Sequence, residues 1–167
     1  MHTNILTKNQ LDLIPIVTGF GKKGYYLVGG TALALQLGHR RSLDYDLFTK
    51  NSFDNKRYEI VGSVTWPGVI QMPDVLTIAA MKAFALGQRA KWKDYVDLYF
   101  VMKKYSLKDI VEKARELFGS EVNDRIFREQ LSYFDDINYN EQPDYLPGFE
   151  VPNEEIKRVL ADVACTE

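Results

Sequence analysis

The sequence predicts an α+β protein with an α/β front and a helical back, and three observations carry that prediction. The stretch GYYLVGGTALALQLG, residues 24–38, reads as an apolar strand, a tight glycine turn and a helix stopping on Gly38. In SLDYDLFT, residues 42–49, Leu43, Tyr45 and Leu47 alternate with Asp44, Asp46 and Phe48, which predicts a second strand with both acids on one face. Beyond residue 73 the chain turns to strong helix formers.

The elements follow in order. KNQLDLIPIVTG, residues 8–19, spaces its apolar side chains for a first helix despite Pro15. Between residues 53 and 72, YEIV and SVTW read as strands, with Gly62, Pro67 and Gly68 as turns. Pro73 and Asp74 open a helix running toward Gln88 and Arg89, and WKDYVDLYFVMKKY makes another. Ser106 with Asp109 three residues later is a capping-box start for LKDIVEKARELFG. SEVNDRIFREQLSYF and PNEEIKRVLADVA supply two more amphipathic helices. The acidic, aromatic, proline-punctuated DDINYNEQPDYLPGFEVP between them reads as a long surface loop. The whole chain, 1–167, is expected to form a single domain, with the α/β part at about 1–72 and the helical part at about 73–167.

Composition narrows the class of function. The 167 residues are 46% hydrophobic and 26% charged, ordinary for a globular protein and unlike a disordered or fibrous chain. One cysteine, Cys165, has no partner for an intramolecular disulfide, which fits a reducing cytoplasm. MHTNILTKNQ has neither the basic start nor the apolar run of a signal peptide, and no segment is apolar for long enough to span a membrane. A net charge of −2 confines any nucleic-acid contact to a local patch.

The chemistry-bearing residues lie between 29 and 46. A glycine pair between strand and helix lets the backbone approach a ligand closely, and the helix start offers N–H groups to an anion, so Gly29, Gly30 and Thr31 suit a triphosphate. Two aspartates at i and i+2 on a strand present oxygens side by side, which suits Mg²⁺ bridging substrate phosphates and makes Asp44 and Asp46 the candidate metal ligands. His39, Arg40 and Arg41 stand just before them, where they form either a plain surface loop or a neutraliser of phosphate charge. Arg41 and Ser42 join the candidate nucleotide-binding residues. Each element alone has a bland reading, the glycines as a turn and the acids as a solvated face.

The string GGTALALQLGHRRSLDYDLF, taken with the later IAAMKAFALGQRAKWKDYVDLYFV, resembles the nucleotidyl transferase AbiEii/AbiGii toxin family, a branch of the polymerase-β-like nucleotidyltransferase superfamily. The resemblance covers most of residues 10–105. It implies a small mixed β-sheet core with a helical C-terminal half, a nucleoside triphosphate bound with Mg²⁺, an RNA (tRNA) or protein acceptor, and a cytoplasmic toxin opposed by an antitoxin protein. Gly29 and Gly30 match the family's phosphate-side turn, and Asp44 and Asp46 its metal-binding acids. Lys82 matches the lysine of the helical motif, where its ammonium would meet the triphosphate, and Asp94 and Asp97 match the acidic pair of KDYVDLY. Arg89 would pair with these acids or with phosphate. Asp44, Asp46, Lys82, Asp94 and Asp97 are thus the expected catalytic set.

The chain departs from the family where only TKNSFDNKRYEIVGSVTWPGVIQM separates the acidic strand from the IAAMK helix. The resemblance implies a longer stretch there, with another helix and a hairpin, and a third carboxylate on the central sheet, for which Asp94 or Asp97 would have to substitute. The alternative expectation is therefore a catalytically degenerate nucleotide-binding or protein-interaction module of the same fold.

Overall fold

The computed structural model describes residues 1–49, 62–86 and 90–166. Helix α1, Lys8–Lys22, starts on a capping box in which Thr7 and Gln10 satisfy each other's backbone N–H groups, and it continues through Pro15 past the expected end. Strand β1, Tyr25–Val28, pairs antiparallel with β2, Asp46–Thr49, with Val28 opposite Asp46. Strands β3, Ser63–Trp66, and β4, Ile70–Pro73, form a second antiparallel pair. Helix α1 packs over β1 and β4, which lie side by side. The α+β class stands, and the sheets among the described residues are two antiparallel pairs. The YEIV reading and the run through Gln88 and Arg89 lie outside the described residues.

Strand β2 is shorter than SLDYDLFT predicts, because its ladder begins at Asp46. The Ser42 and Asp44 carbonyls are taken by side chains instead of a neighbouring strand: Gln10 and Thr31 donate to Ser42, and Thr31 to Asp44. The alternation holds from Asp44 onward, with Asp44, Asp46 and Phe48 exposed while Tyr45 and Leu47 are half-buried, but Leu43, expected on the inner face, is 65% exposed.

Helix α2, Gly29–Leu37, follows β1 directly and buries Thr31 through Leu35. It ends at Gly38, whose left-handed conformation (φ 71°) lets its N–H reach the Ala34 carbonyl. Helix α3, Val75–Leu86, is capped by Asp74, whose carboxylate accepts the Thr77 N–H at 2.8 Å. Helix α4, Trp92–Val101, is buried along all but one of its residues, Lys93 being the exception. Helices α5, Leu107–Phe118, α6, Asp124–Ser132, and α7, Asn153–Cys165, complete the back half, with α5 against α3, α6 against α7, and α7 on α4. The Ser106–Asp109 capping box forms as expected.

The segment between α6 and α7 has no helix and is tied down at both ends. Arg41 donates to the Asp144 carbonyl at 2.7 Å and Leu146 to that of His39 at 3.1 Å, while Asn138 donates to Ala90 at 2.9 Å. Ile137 and Leu146 are buried. Gly38 offers a direct check of the α2 terminus: a Cβ there would meet the His2 ring at 2.6 Å, and left-handed backbone costs other residues about 1–2 kcal/mol. Gly38→Ala is expected to lower stability by at least that much, read as a lower midpoint in urea unfolding.

Candidate functional site

The glycine pair has a steric cause that the sequence left open. Gly29 has φ 72°, a region glycine enters freely, and a Cβ there would collide with the Asp46 carboxylate. A Cβ on Gly30 would lie 2.7 Å from Ser42 Oγ and 2.9 Å from Arg40 Nη2. The missing side chains therefore let an acid and a guanidinium lie against the start of α2.

Asp44 and Asp46 both face solvent beside this turn. Among the described residues no three of His, Cys, Asp and Glu gather into a ready-made metal cage. Two outward carboxylates suit Mg²⁺ all the same, because that ion keeps several waters and usually takes one or two carboxylates plus substrate phosphates.

Lys82, Asp94 and Asp97 are brought together, but inside the protein. Lys82 Nζ lies 2.5 Å from Asp94 Oδ1 and 2.8 Å from Asp97 Oδ2. Asp97, fully buried, also accepts Arg40 Nε at 2.7 Å and Nη2 at 2.8 Å in a bidentate fork, and it faces His39 Nε2 at 2.8 Å. Arg40 and His39 are themselves 2% and 0% exposed, so at these two positions the surface-loop alternative gives way to an internal strut. Burial alone would raise the Asp97 carboxyl, yet the Arg40 and Lys82 charges and the hydrogen bonds from His39 and Arg40 hold it well below the usual carboxylate range. Burial likewise opposes the charge on Lys82 and on Arg40, and their carboxylate partners hold both pKa values above the ordinary ones.

Tyr145 closes over this network without a signal in the sequence beyond its place in an aromatic loop. It forms a β-bridge with Arg40, and burial pushes its phenol up to about 12, Arg40 opposing and Asp97 adding. Tyr145 Oη and His39 Nδ1 are buried with no hydrogen-bond partner among the described residues.

The remaining expected residues divide. Thr31 is fully buried and spends its hydroxyl on the carbonyls of Ser42 and Asp44. Ser42 packs its Oγ on Gly30, and Arg41 makes a half-exposed ion pair with Asp144 at 3.4 Å. Arg89 lies outside the described residues. Sequence reasoning missed Gln10, which is 3% exposed and donates to Ser42 O at 2.8 Å. Its only signal was its place three residues after Thr7, which marks a capping box and not a site.

The fold and site thus define an α+β protein with an outward carboxylate pair at a glycine-started helix and a sealed ion network beneath. It belongs to the nucleotidyl transferase AbiEii toxin family of type IV toxin–antitoxin systems, whose family model matches residues 53–162. That stretch includes Lys82, Asp94 and Asp97, while the glycine pair and outward acids precede it. An uncharacterized protein of Aquifex aeolicus (strain VF5) is 28% identical, covering 94% of this chain and 97% of the relative. The 202 aligned positions exceed the 167 residues here, so the relative carries residues without counterpart in this chain. No solved structure matches the chain, and none of the helices among the described residues is long and apolar enough to cross a membrane.

The network makes stability depend on pH with a definite sign. A carboxyl depressed in the folded state contributes stability above its unfolded value, near 3.8 for Asp97, and loses it as pH falls toward the folded value. The urea midpoint of the wild type should fall below about pH 4. Asp97→Ala should cost about 3–5 kcal/mol at neutral pH, since it strands Arg40 and Lys82 in the interior, and its unfolding should be flatter across the acid range.

Proposed function

We propose that the protein is a cytoplasmic Mg²⁺-dependent nucleotidyltransferase that moves a nucleotide from a nucleoside triphosphate to an RNA or protein acceptor, as the toxin partner of an antitoxin. Membership of a nucleotidyl transferase toxin family supports the reaction class. The observation that carries the site is the pair of exposed carboxylates, Asp44 and Asp46, beside the two-glycine start of α2.

In the reaction an acceptor hydroxyl forms a bond to the α-phosphorus, the bond to pyrophosphate breaks, and the hydroxyl proton leaves to a base. Mg²⁺ held by Asp44 and Asp46 would offset the charge that gathers on the phosphate oxygens. The N–H groups at the α2 start face the same anion. Lys82, Asp94 and Asp97 act at one remove in this reading, because the Lys82 ammonium is already held by two buried carboxylates. The network then fixes the chain from Arg40 into Ser42 and so the aim of the acids.

A second reading, a nucleotide-binding module that no longer transfers, is favoured by one observation, the relative's additional residues. Calorimetric titration with ATP, GTP, CTP and UTP in turn, with and without Mg²⁺, separates the cases when paired with an assay for pyrophosphate release. Mg²⁺-dependent binding should vanish in Asp44→Asn and Asp46→Asn while both variants stay folded. Wild-type binding in both would remove the proposed site. Binding without pyrophosphate release, tried across RNA and protein acceptors, would favour the degenerate module.

A further inference from the structure

We infer that Gln10 is a positioning residue for the acidic pair, linking the capping box of α1 to the backbone that presents Asp44 and Asp46. The inference rests on the reading of those acids as a metal site.

The orientation of the Gln10 amide follows from its partners. Its Oε1 lies 3.1 Å from the Thr7 backbone N, and a backbone N–H only donates, so oxygen must occupy that position. Nε2 therefore points the other way and donates to Ser42 O at 2.8 Å. Tyr45, between the two acids, donates its hydroxyl to Gln10 O at 3.2 Å. One residue of α1 thus grips the 42–46 segment at two points.

Thr31 makes the grip necessary. Its hydroxyl carries one hydrogen but faces two carbonyls, those of Ser42 and Asp44, with Asp44 the nearer. Gln10 supplies the donor that Ser42 O needs, which leaves the Thr31 hydrogen to Asp44 O. Without Gln10 the two carbonyls compete for one hydrogen, and the backbone at Asp44 is no longer held in one place. A capping residue with its side chain spent on its own helix would have no such effect.

Gln10→Glu keeps the acceptor for Thr7 but loses the donor to Ser42, and Gln10→Met loses both. Leu160→Ala, a core truncation in α7, serves as a control for general destabilisation. Hydrogen exchange on the metal-free full chain should quicken across residues 42–49 in both Gln10 variants and not in the control. The Mg²⁺ concentration giving half-maximal triphosphate binding should rise about tenfold in both and stay unchanged in the control. Unchanged exchange at 42–49 would overturn the clamp, and quicker exchange with an unchanged Mg²⁺ midpoint would overturn its positioning role. Absence of Mg²⁺-dependent binding in the wild type would sink the proposed function and the positioning role together. The exchange difference alone would then show that the clamp itself is real.

Discussion

The Asp97 carboxylate is fully buried on α4, and a charge so placed has to be met by groups from outside its own helix. Arg40 meets it from the loop after α2, His39 from the neighbouring position, and Lys82 from α3. Two segments from elsewhere in the sequence, the loop after α2 and helix α3, are thereby fixed against one residue. With Asp94 also on Lys82, two full negative charges stand against two full positive ones, so the interior is close to neutral without counting His39. Removing any one member leaves another charge stranded, which is why these residues behave as a unit and why the chain leaving Arg40 has little freedom before Ser42.

Much of the fold was legible because its signals are local. The helix start at Ser106 and the stop at Gly38 rest on residues a few positions apart. The outward row of Asp44, Asp46 and Phe48 came from period-two alternation, which extends to Tyr45 and fails at Leu43, before the ladder begins. Less legible were features set by contacts across the chain. Nothing near Lys82 in the sequence says that its ammonium will be sealed between two aspartates, since a lysine flanked by apolar residues on a helix serves equally well at a surface. Gln10 went unmarked in the sequence; the structure shows its oxygen in the capping box of α1, and only the approach of Ser42, 32 positions away, gives its amide nitrogen a second task. The loop that carries Tyr145 looked like solvent-facing chain because its composition is acidic, yet its backbone bonds to His39 and Arg41 lay it over the network.

The glycine pair joins these two kinds of evidence. Its sequence reading was electrostatic, a cradle for phosphate. The structure adds that Gly29 makes room for the Asp46 carboxylate and Gly30 for Arg40 and Ser42. The two readings are compatible, because a backbone stripped of Cβ atoms on its crowded side still directs the N–H groups of its first turn along the helix axis. A side chain at either position would displace the acid or the guanidinium before it ever met a ligand.

The same residue type therefore does two jobs here, sorted by its company. Asp94 and Asp97 lie inside and are matched by cations of the chain itself. Asp44 and Asp46 stay at the exposed surface, beside the start of α2. This division constrains any triphosphate chemistry at the surface. Arg40 and Lys82 cannot turn toward an incoming polyanion without abandoning buried carboxylates, a loss larger than a solvent-facing contact returns. Among the described residues, the charge of a triphosphate at this turn would then be met by a cation on Asp44 and Asp46, by the half-exposed Arg41 and by the N–H groups of α2. The affinity of such a site would follow the placement of those two acids, and that placement is set by the carbonyls that Gln10 and Thr31 hold.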